Sequence, residues 1–118
     1  MYLTRSAEAP ARARAFVRQM LVSTPAGVVE TTELLVSELV TNAVRHTTAA
    51  RIRVDVTPQA TCIRVSVHDP VPGLDRSDGP PSPGPGGGFG LGIVEELATR
   101  WGVDDIESGK SVWFEIAP

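Results

Sequence analysis

Apolar residues recur at helical spacing near the start of the chain, where "ARARAFVRQML" places Ala13, Phe16, Val17, Met20 and Leu21 on one side. The pattern predicts a first helix that begins after Ser6–Pro10 and is broken by "STPAG". A second helix is expected over about Val28 to His46, with Leu34, Leu35, Leu39, Ala43 and Val44 as its apolar stripe. The period then shortens. In "RIRVDVT", Ile52, Val54 and Val56 alternate with Arg51, Arg53 and Asp55. In "TCIRVSVHD", Ile63, Val65 and Val67 alternate with Arg64, Ser66 and His68. "TPQAT" between them reads as a hairpin turn. A third helix is expected over about Leu91 to Arg100, with Gly102 suited to its C-terminal cap. "WGVDDIESGKSVWFEI" closes the chain as two strands around "ESGK". Strands therefore come in adjacent pairs rather than alternating with helices. That order predicts an α+β two-layer sandwich, a mixed but mostly antiparallel sheet covered on one face by about three helices.

The stretch from Asp69 to Gly92 obeys neither period. It holds eight of the 11 glycines and six of the 10 prolines, and no large apolar residue stands between Asp75 and Gly88. A Pro/Gly linker would have this composition. A linker does not explain why the glycines of "GPGGGFGLGIVEEL" run up to a predicted helix start, where backbone N–H groups could face an anion. The segment is neither a P-loop nor a dinucleotide fingerprint, since neither glycine spacing can be read through it.

Composition narrows the classes. At 118 residues the chain, 1–118, reads as a single domain with one core. The net charge of −3 and the single lysine, Lys110, argue against nucleic acid as a direct partner. No apolar run approaches the roughly 20 residues of a membrane span, and "MYLTRSAEAPARARAF" has no apolar signal-peptide core. With one cysteine, Cys62, no intramolecular disulfide can form. These features predict a cytoplasmic protein.

Two polar features stand out against the apolar pattern. Glu38, Asn42 and His46 lie at i, i+4 and i+8 of the second helix and so form one polar line, flanked by Thr41 and Arg45. Most such lines are solvated faces. This one carries an amide, and Asn42 is the only asparagine in a chain whose Arg-, Ala-, Val-, Gly- and Pro-rich composition makes asparagine scarce. Glu and Asn oxygens suit Mg²⁺, and a carboxylate beside a phosphate can act as a general base. The second feature is Asp69. Continuing the alternation of Ile63, Val65 and Val67 points it into the core, where an unpaired carboxylate is costly. Either the strand stops at His68 and Asp69 opens a turn before Pro70, or the carboxylate awaits a ligand donor such as a purine amino group.

A helix carrying Glu-x-x-x-Asn, a strand ending in Asp, a glycine-rich segment and a further helix, in that order, resemble the Bergerat-fold (GHKL) ATP-binding domain. Within that family the chain is most similar to anti-sigma-factor serine/threonine kinases and their stand-alone relatives. "ELVTNAVRH" looks like the N box, "DPVPG" the first glycine box and "GGGFGLGI" the second. The resemblance implies that Asn42 is the Mg²⁺ ligand and that Glu38 activates the attacking hydroxyl. It implies that Asp69 binds the adenine amino group and that Gly73 lets the backbone pass the base. Gly88, Gly90, Leu91 and Gly92 would shape a flexible ATP lid at about 70–90, Arg45 and His46 would lie near the nucleotide, and Ser111 would match a late Ser/Thr near the aspartate. Val71 departs from the family, standing where the first box has its earlier glycine, and Arg76 is the only basic residue in the lid before the glycines.

Two function classes follow from the resemblance. One is a serine/threonine kinase that binds a sigma factor and phosphorylates a serine on a small antagonist protein. The other is a non-catalytic ATP-binding module that changes its protein partners with the nucleotide. Glu38 favours the first; Val71 and the sparse basic residues of the lid favour the second. ATP or ADP and Mg²⁺ are the implied ligands, and a homodimer is an assembly this reading admits. Because residues 75–88 lack apolar anchors, their amides should exchange quickly without nucleotide and slow when ATP saturates the protein. Hydrogen exchange measures this, and equal exchange with and without ATP would count against a phosphate lid.

Overall fold

The computed structural model describes residues 1–70, 91–106 and 109–117, together with the side chains of all of these but Ile106. The predicted turn at 107–108 and the glycine-rich residues 71–90, with Gly73, Gly88 and Gly90, lie outside the described residues. Among the described residues the order is β1 (Tyr2–Thr4), α1 (Ala9–Met20), α2 (Ala26–His46), β2 (Arg51–Pro58), β3 (Ile63–Asp69), α3 (Gly92–Leu97), β4 (Arg100–Ile106) and β5 (Gly109–Ile116). The sheet runs β1-β2-β3-β5-β4 and every described pairing is antiparallel, so the mixed character expected from sequence is not seen among these strands.

Alternation in the strands sorts side chains onto two faces. Ile52, Val54 and Val56 of β2, Ile63, Val65 and Val67 of β3, and Phe114 and Ile116 of β5 are buried beneath the helices. Their register is direct: Val65 pairs with Phe114 and with Val56, and Val67 pairs with Val112 and Val54. Helix α1 buries Ala9, Ala13 and Val17, one residue per turn, and α2 buries Thr32, Leu35, Val36, Leu39 and Val40. Burying these side chains is the main favourable term in the fold, on the order of 1.5–3 kcal/mol for each large aliphatic residue. The helices are tied to each other by Arg14 donating to Ser37 (2.7 Å) and by the Arg18–Glu33 ion pair (2.7 Å).

Three details differ from the sequence reading. Leu34 is 41% exposed rather than part of the buried stripe, because the sector of α2 that meets the sheet and α1 is centred on Leu35, Val36 and Leu39. Helix α2 begins at Ala26, just after Pro25. Helix α3 ends at Leu97 rather than near Arg100, because the next residues are drawn into the sheet. The Thr99 amide donates to Glu115 (2.8 Å), and Arg100 opens β4 opposite the same residue. Gly102 is therefore not a helix cap. It lies in β4 opposite Trp113, whose indole would come within 2.8 Å of any Cβ placed there.

The other face of the sheet carries that indole and the charges around it. The Arg64 guanidinium stacks 4.1 Å from the Trp113 ring and pairs with Glu115 at 3.0 Å. Among the described residues no helix is long and apolar enough to cross a membrane.

Two glycines test the backbone argument. Gly109 has φ of 133°, and a Cβ there would fall 1.9 Å from the Asp69 carbonyl oxygen. Gly109→Ala should destabilise the protein by at least about 2 kcal/mol. Gly27 lies in the first turn of α2, and a Cβ there would meet nothing within 4 Å. Gly27→Ala should be neutral or stabilise by up to about 1 kcal/mol. Urea denaturation of both variants reads the contrast.

Candidate functional site

A small open cavity lies where α2 ends above the ends of β3 and β5. Leu39, Asn42, Ala43 and His46 line it from α2, Val67 and Asp69 from β3, Lys110 and Val112 from β5, and Leu91 from the residue before α3. The walls are apolar, and Asn42, His46, Asp69 and Lys110 supply its polar groups. Helical spacing explains the first wall, since Leu39, Asn42, Ala43 and His46 recur along one side of the helix. Strand alternation explains the floor, because Val67 and Asp69 share the core face of β3 and stand opposite Val112 and Lys110.

Asp69 settles one of the alternatives left open by the sequence. β3 continues through it, and the carboxylate points into the core with only 3% of the residue exposed. Such burial requires compensation. The Thr47 hydroxyl, in the first residue after α2, donates to Asp69 Oδ1 at 2.7 Å. The cation Lys110 stands opposite Asp69 across the β3–β5 pairing. The close backbone approach of Gly109 to the Asp69 carbonyl allows β5 to begin at that point.

Asn42 presents the opposite situation. Its Nδ2 is buried and has no hydrogen-bond partner among the described residues. An orphaned buried amide carries a penalty of about 1–3 kcal/mol, so its place in the cavity wall is not explained by folding alone. The same side chain offers an oxygen when the amide turns over. A single amide oxygen beside a phosphate-sized ligand fits the way Mg²⁺ is held, by few protein ligands with waters and phosphates completing the shell. Among the described residues no group of three or more His, Cys, Asp and Glu side chains is placed to hold a metal without a ligand.

The structure brings together Asn42, His46, Asp69 and Leu91 of the residues singled out in the sequence, and Gly92 follows Leu91 as the first residue of α3. Glu38 is half-buried one turn before Asn42 but is not in the cavity wall, and Arg45 is exposed outside it. Ser111 is placed elsewhere. It pairs with His68, the neighbour of Asp69, and alternation puts its side chain on the opposite face of the sheet from the cavity. Lys110, one residue earlier, lines the cavity. Thr47 and Lys110 are the residues that sequence reasoning missed. Lys110 could have been found by applying to the last strand the same alternation that identifies Asp69 on β3. The described group with a displaced pKa lies away from the site: Arg53, on the outer face, is raised above its ordinary value by its hydrogen bond to Asp55 and then by the charge of that carboxylate.

Comparison with known proteins gives a family and a shared fold. The family described as the histidine kinase-like ATPase domain matches residues 3–116. No curated protein matches the chain. Solved structures share the fold at low identity. The structure of the RsbU and RsbW domains of Rv1364c from Mycobacterium tuberculosis superposes with a TM-score of 0.68 at 18% identity, over 99% of this chain and 32% of that one. The Erythrobacter litoralis EL346 blue-light activated histidine kinase gives 0.66 at 21% identity, over 91% and 40%. The catalytic domain of histidine kinase ThkA gives 0.56 at 17% identity, over 99% and 94%. The chain thus spans well under half the length of the first two and nearly all of the third.

The orphaned amide generates a prediction independent of any ligand. Asn42→Leu replaces it with an apolar side chain of similar size, so the ligand-free protein should keep its stability or gain up to about 2 kcal/mol. Urea denaturation measures this, and a loss of stability would mean that the amide serves the fold rather than a ligand.

Proposed function

The chain belongs to the histidine kinase-like ATPase domain family, and from that premise we propose that it binds Mg·ATP in the cavity between α2 and the ends of β3 and β5. The observation that carries the reading is the pairing of a buried carboxylate, Asp69, with an unpartnered buried amide, Asn42, across one apolar cavity. The Asp69 carboxylate accepts from the amino group of adenine. Leu39, Ala43, Val67, Leu91 and Val112 offer the base an apolar surface. Asn42 and His46 face the phosphate side, with Asn42 as the protein ligand of Mg²⁺. When bound, the metal neutralises phosphate charge. Glycines 73, 88, 90 and 92 belong to the lid in this proposal, and Arg45 to its phosphate side.

We further infer a protein serine/threonine kinase of the anti-sigma-factor type, acting in the cytoplasm on a serine of a small antagonist and binding a sigma factor. Its support is the N-box sequence around Glu38 and the fold shared with the structure that contains an RsbW domain. Phosphoryl transfer to a hydroxyl needs a group to accept the proton, and Glu38 is the carboxylate on the Asn42 line. One observation favours the second reading, a nucleotide-dependent binding module without transfer: Asn42 and Asp69 line the cavity, whereas Glu38 does not.

Calorimetric titration with ATP and ADP, with and without Mg²⁺, tests the binding step. Asn42→Ala should weaken Mg·ATP more than metal-free ATP, and Asp69→Asn should weaken both. Absence of binding at millimolar nucleotide would refute the assignment. Glu38→Gln separates the two readings. In a kinase it should retain Mg·ATP binding and lower phosphate transfer to the cognate antagonist by about 10²–10⁴. A binding module would transfer nothing even as wild type, yet its partner affinity would differ between ATP and ADP.

A further inference from the structure

Thr47 is the first residue beyond α2, with an extended backbone (φ −91°, ψ 152°). Each of its polar groups is engaged. Its amide donates to the Ala43 carbonyl at 2.9 Å, which closes the helix, and its carbonyl accepts from Arg5 Nη1 at 3.2 Å. Its hydroxyl oxygen accepts from the Ala49 amide at 2.9 Å and donates to Asp69 Oδ1 at 2.7 Å. Thr47 and Asp69 are each 3% exposed.

The direction of these bonds follows from proton count. A hydroxyl has one proton. An amide N–H can only donate, so the Thr47 oxygen accepts from Ala49 and its own proton goes to Asp69. The carboxylate thus meets a donor whose position is fixed by the end of a 21-residue helix and by the following turn. One oxygen held in this way restrains rotation of the carboxylate about its last torsion. A carboxylate offers about four acceptor sites, more than one hydroxyl can occupy, and the bond with Thr47 biases the plane in which a donor in the cavity would approach.

We propose that Thr47 is a positioning residue that gives the cavity its selectivity for the 6-amino group of adenine, by clamping the Asp69 carboxylate in the plane that accepts it. The inference rests on reading the cavity as an adenine-nucleotide site. It goes beyond that reading by assigning base discrimination to a residue outside the cavity wall. If the bond served only to fasten α2 to β3, its loss would weaken every nucleotide alike.

The test compares ATP with purine riboside 5′-triphosphate, which lacks the 6-amino group. Affinities are measured by calorimetry with Mg²⁺ for the wild type, Thr47→Val and Thr47→Ser. The valine variant keeps the shape and removes the hydroxyl. It should lower ATP affinity about tenfold or more while changing the analogue by no more than about twofold, as expected for loss of a charge-assisted bond that acts only on amino-group recognition. Thr47→Ser should restore the ATP preference. In an Asp69→Asn background, Thr47→Val should produce little further loss of ATP affinity. Thr47→Ala supplies the same comparison if the valine variant does not fold, as judged by its circular dichroism. Equal weakening of both nucleotides, or no change in either, would overturn the proposal while leaving ATP binding intact. A wild type that binds neither nucleotide would overturn the ATP reading and this inference with it.

Discussion

A buried carboxylate at the end of a central strand is the constraint around which this fold is arranged. Asp69 continues the inward alternation of Ile63, Val65 and Val67, so the side chain that follows three β-branched apolar positions is an anion. An unpaired anion there would be untenable. The structure answers with Thr47 at the end of α2 and with Lys110 opposite on β5. It also needs Gly109, whose missing side chain lets β5 start against the Asp69 backbone. The end of α2, the end of β3 and the start of β5 are thereby brought to one point. The cavity is the space left between them.

The same region contains polar groups in two different states. Asp69 accepts a hydrogen bond from a hydroxyl within the protein, whereas among the described residues the Nδ2 of Asn42 is buried with no hydrogen-bond partner. Folding favours the first arrangement and works against the second. Groups that violate local rules without internal compensation concentrate where a ligand supplies the missing partner. In the proposed Mg·ATP site, the carboxylate held by Thr47 would meet the base and the unpartnered amide the metal and phosphates.

Periodicity makes most of the fold legible. The alternation around Ile52, Val54 and Val56 and around Ile63, Val65 and Val67 finds β2 and β3, and the spacing of Ala13 and Val17 finds α1. It errs where competition between elements decides the outcome. The pattern makes the third helix too long because "EELATR" is compatible with helix, but pairing of Thr99 and Arg100 with Glu115 takes those residues into the sheet. It puts Leu34 in the core because an apolar residue beside Leu35 looks like part of a stripe, yet a helix buries only the sector that meets its neighbours. At the site, Asn42, His46, Asp69 and Leu91 are legible because the first three break a pattern and the last closes a motif. Ser111 pairs with His68, and alternation puts it on the face of the sheet away from the cavity. Thr47 is not legible at all, since its partner lies 22 residues away and nothing local distinguishes it from Thr48.

The two edges of the sheet are unequal in length but alike in character. β1 has three residues, and the Arg51 guanidinium lies 5.2 Å from the ring of its Tyr2. β4 carries Arg100, Asp104 and Asp105 along the opposite edge. Short strands and edge charges are the means by which soluble sheets discourage a neighbouring chain from adding a strand. One margin offers too few backbone groups to template a foreign strand. At the other, an incoming strand would have to approach two exposed aspartates and an exposed arginine that pairs with Glu115. Among the described strands, both edges of the sheet therefore discourage edge-to-edge pairing, although the central strands are rich in valine and isoleucine.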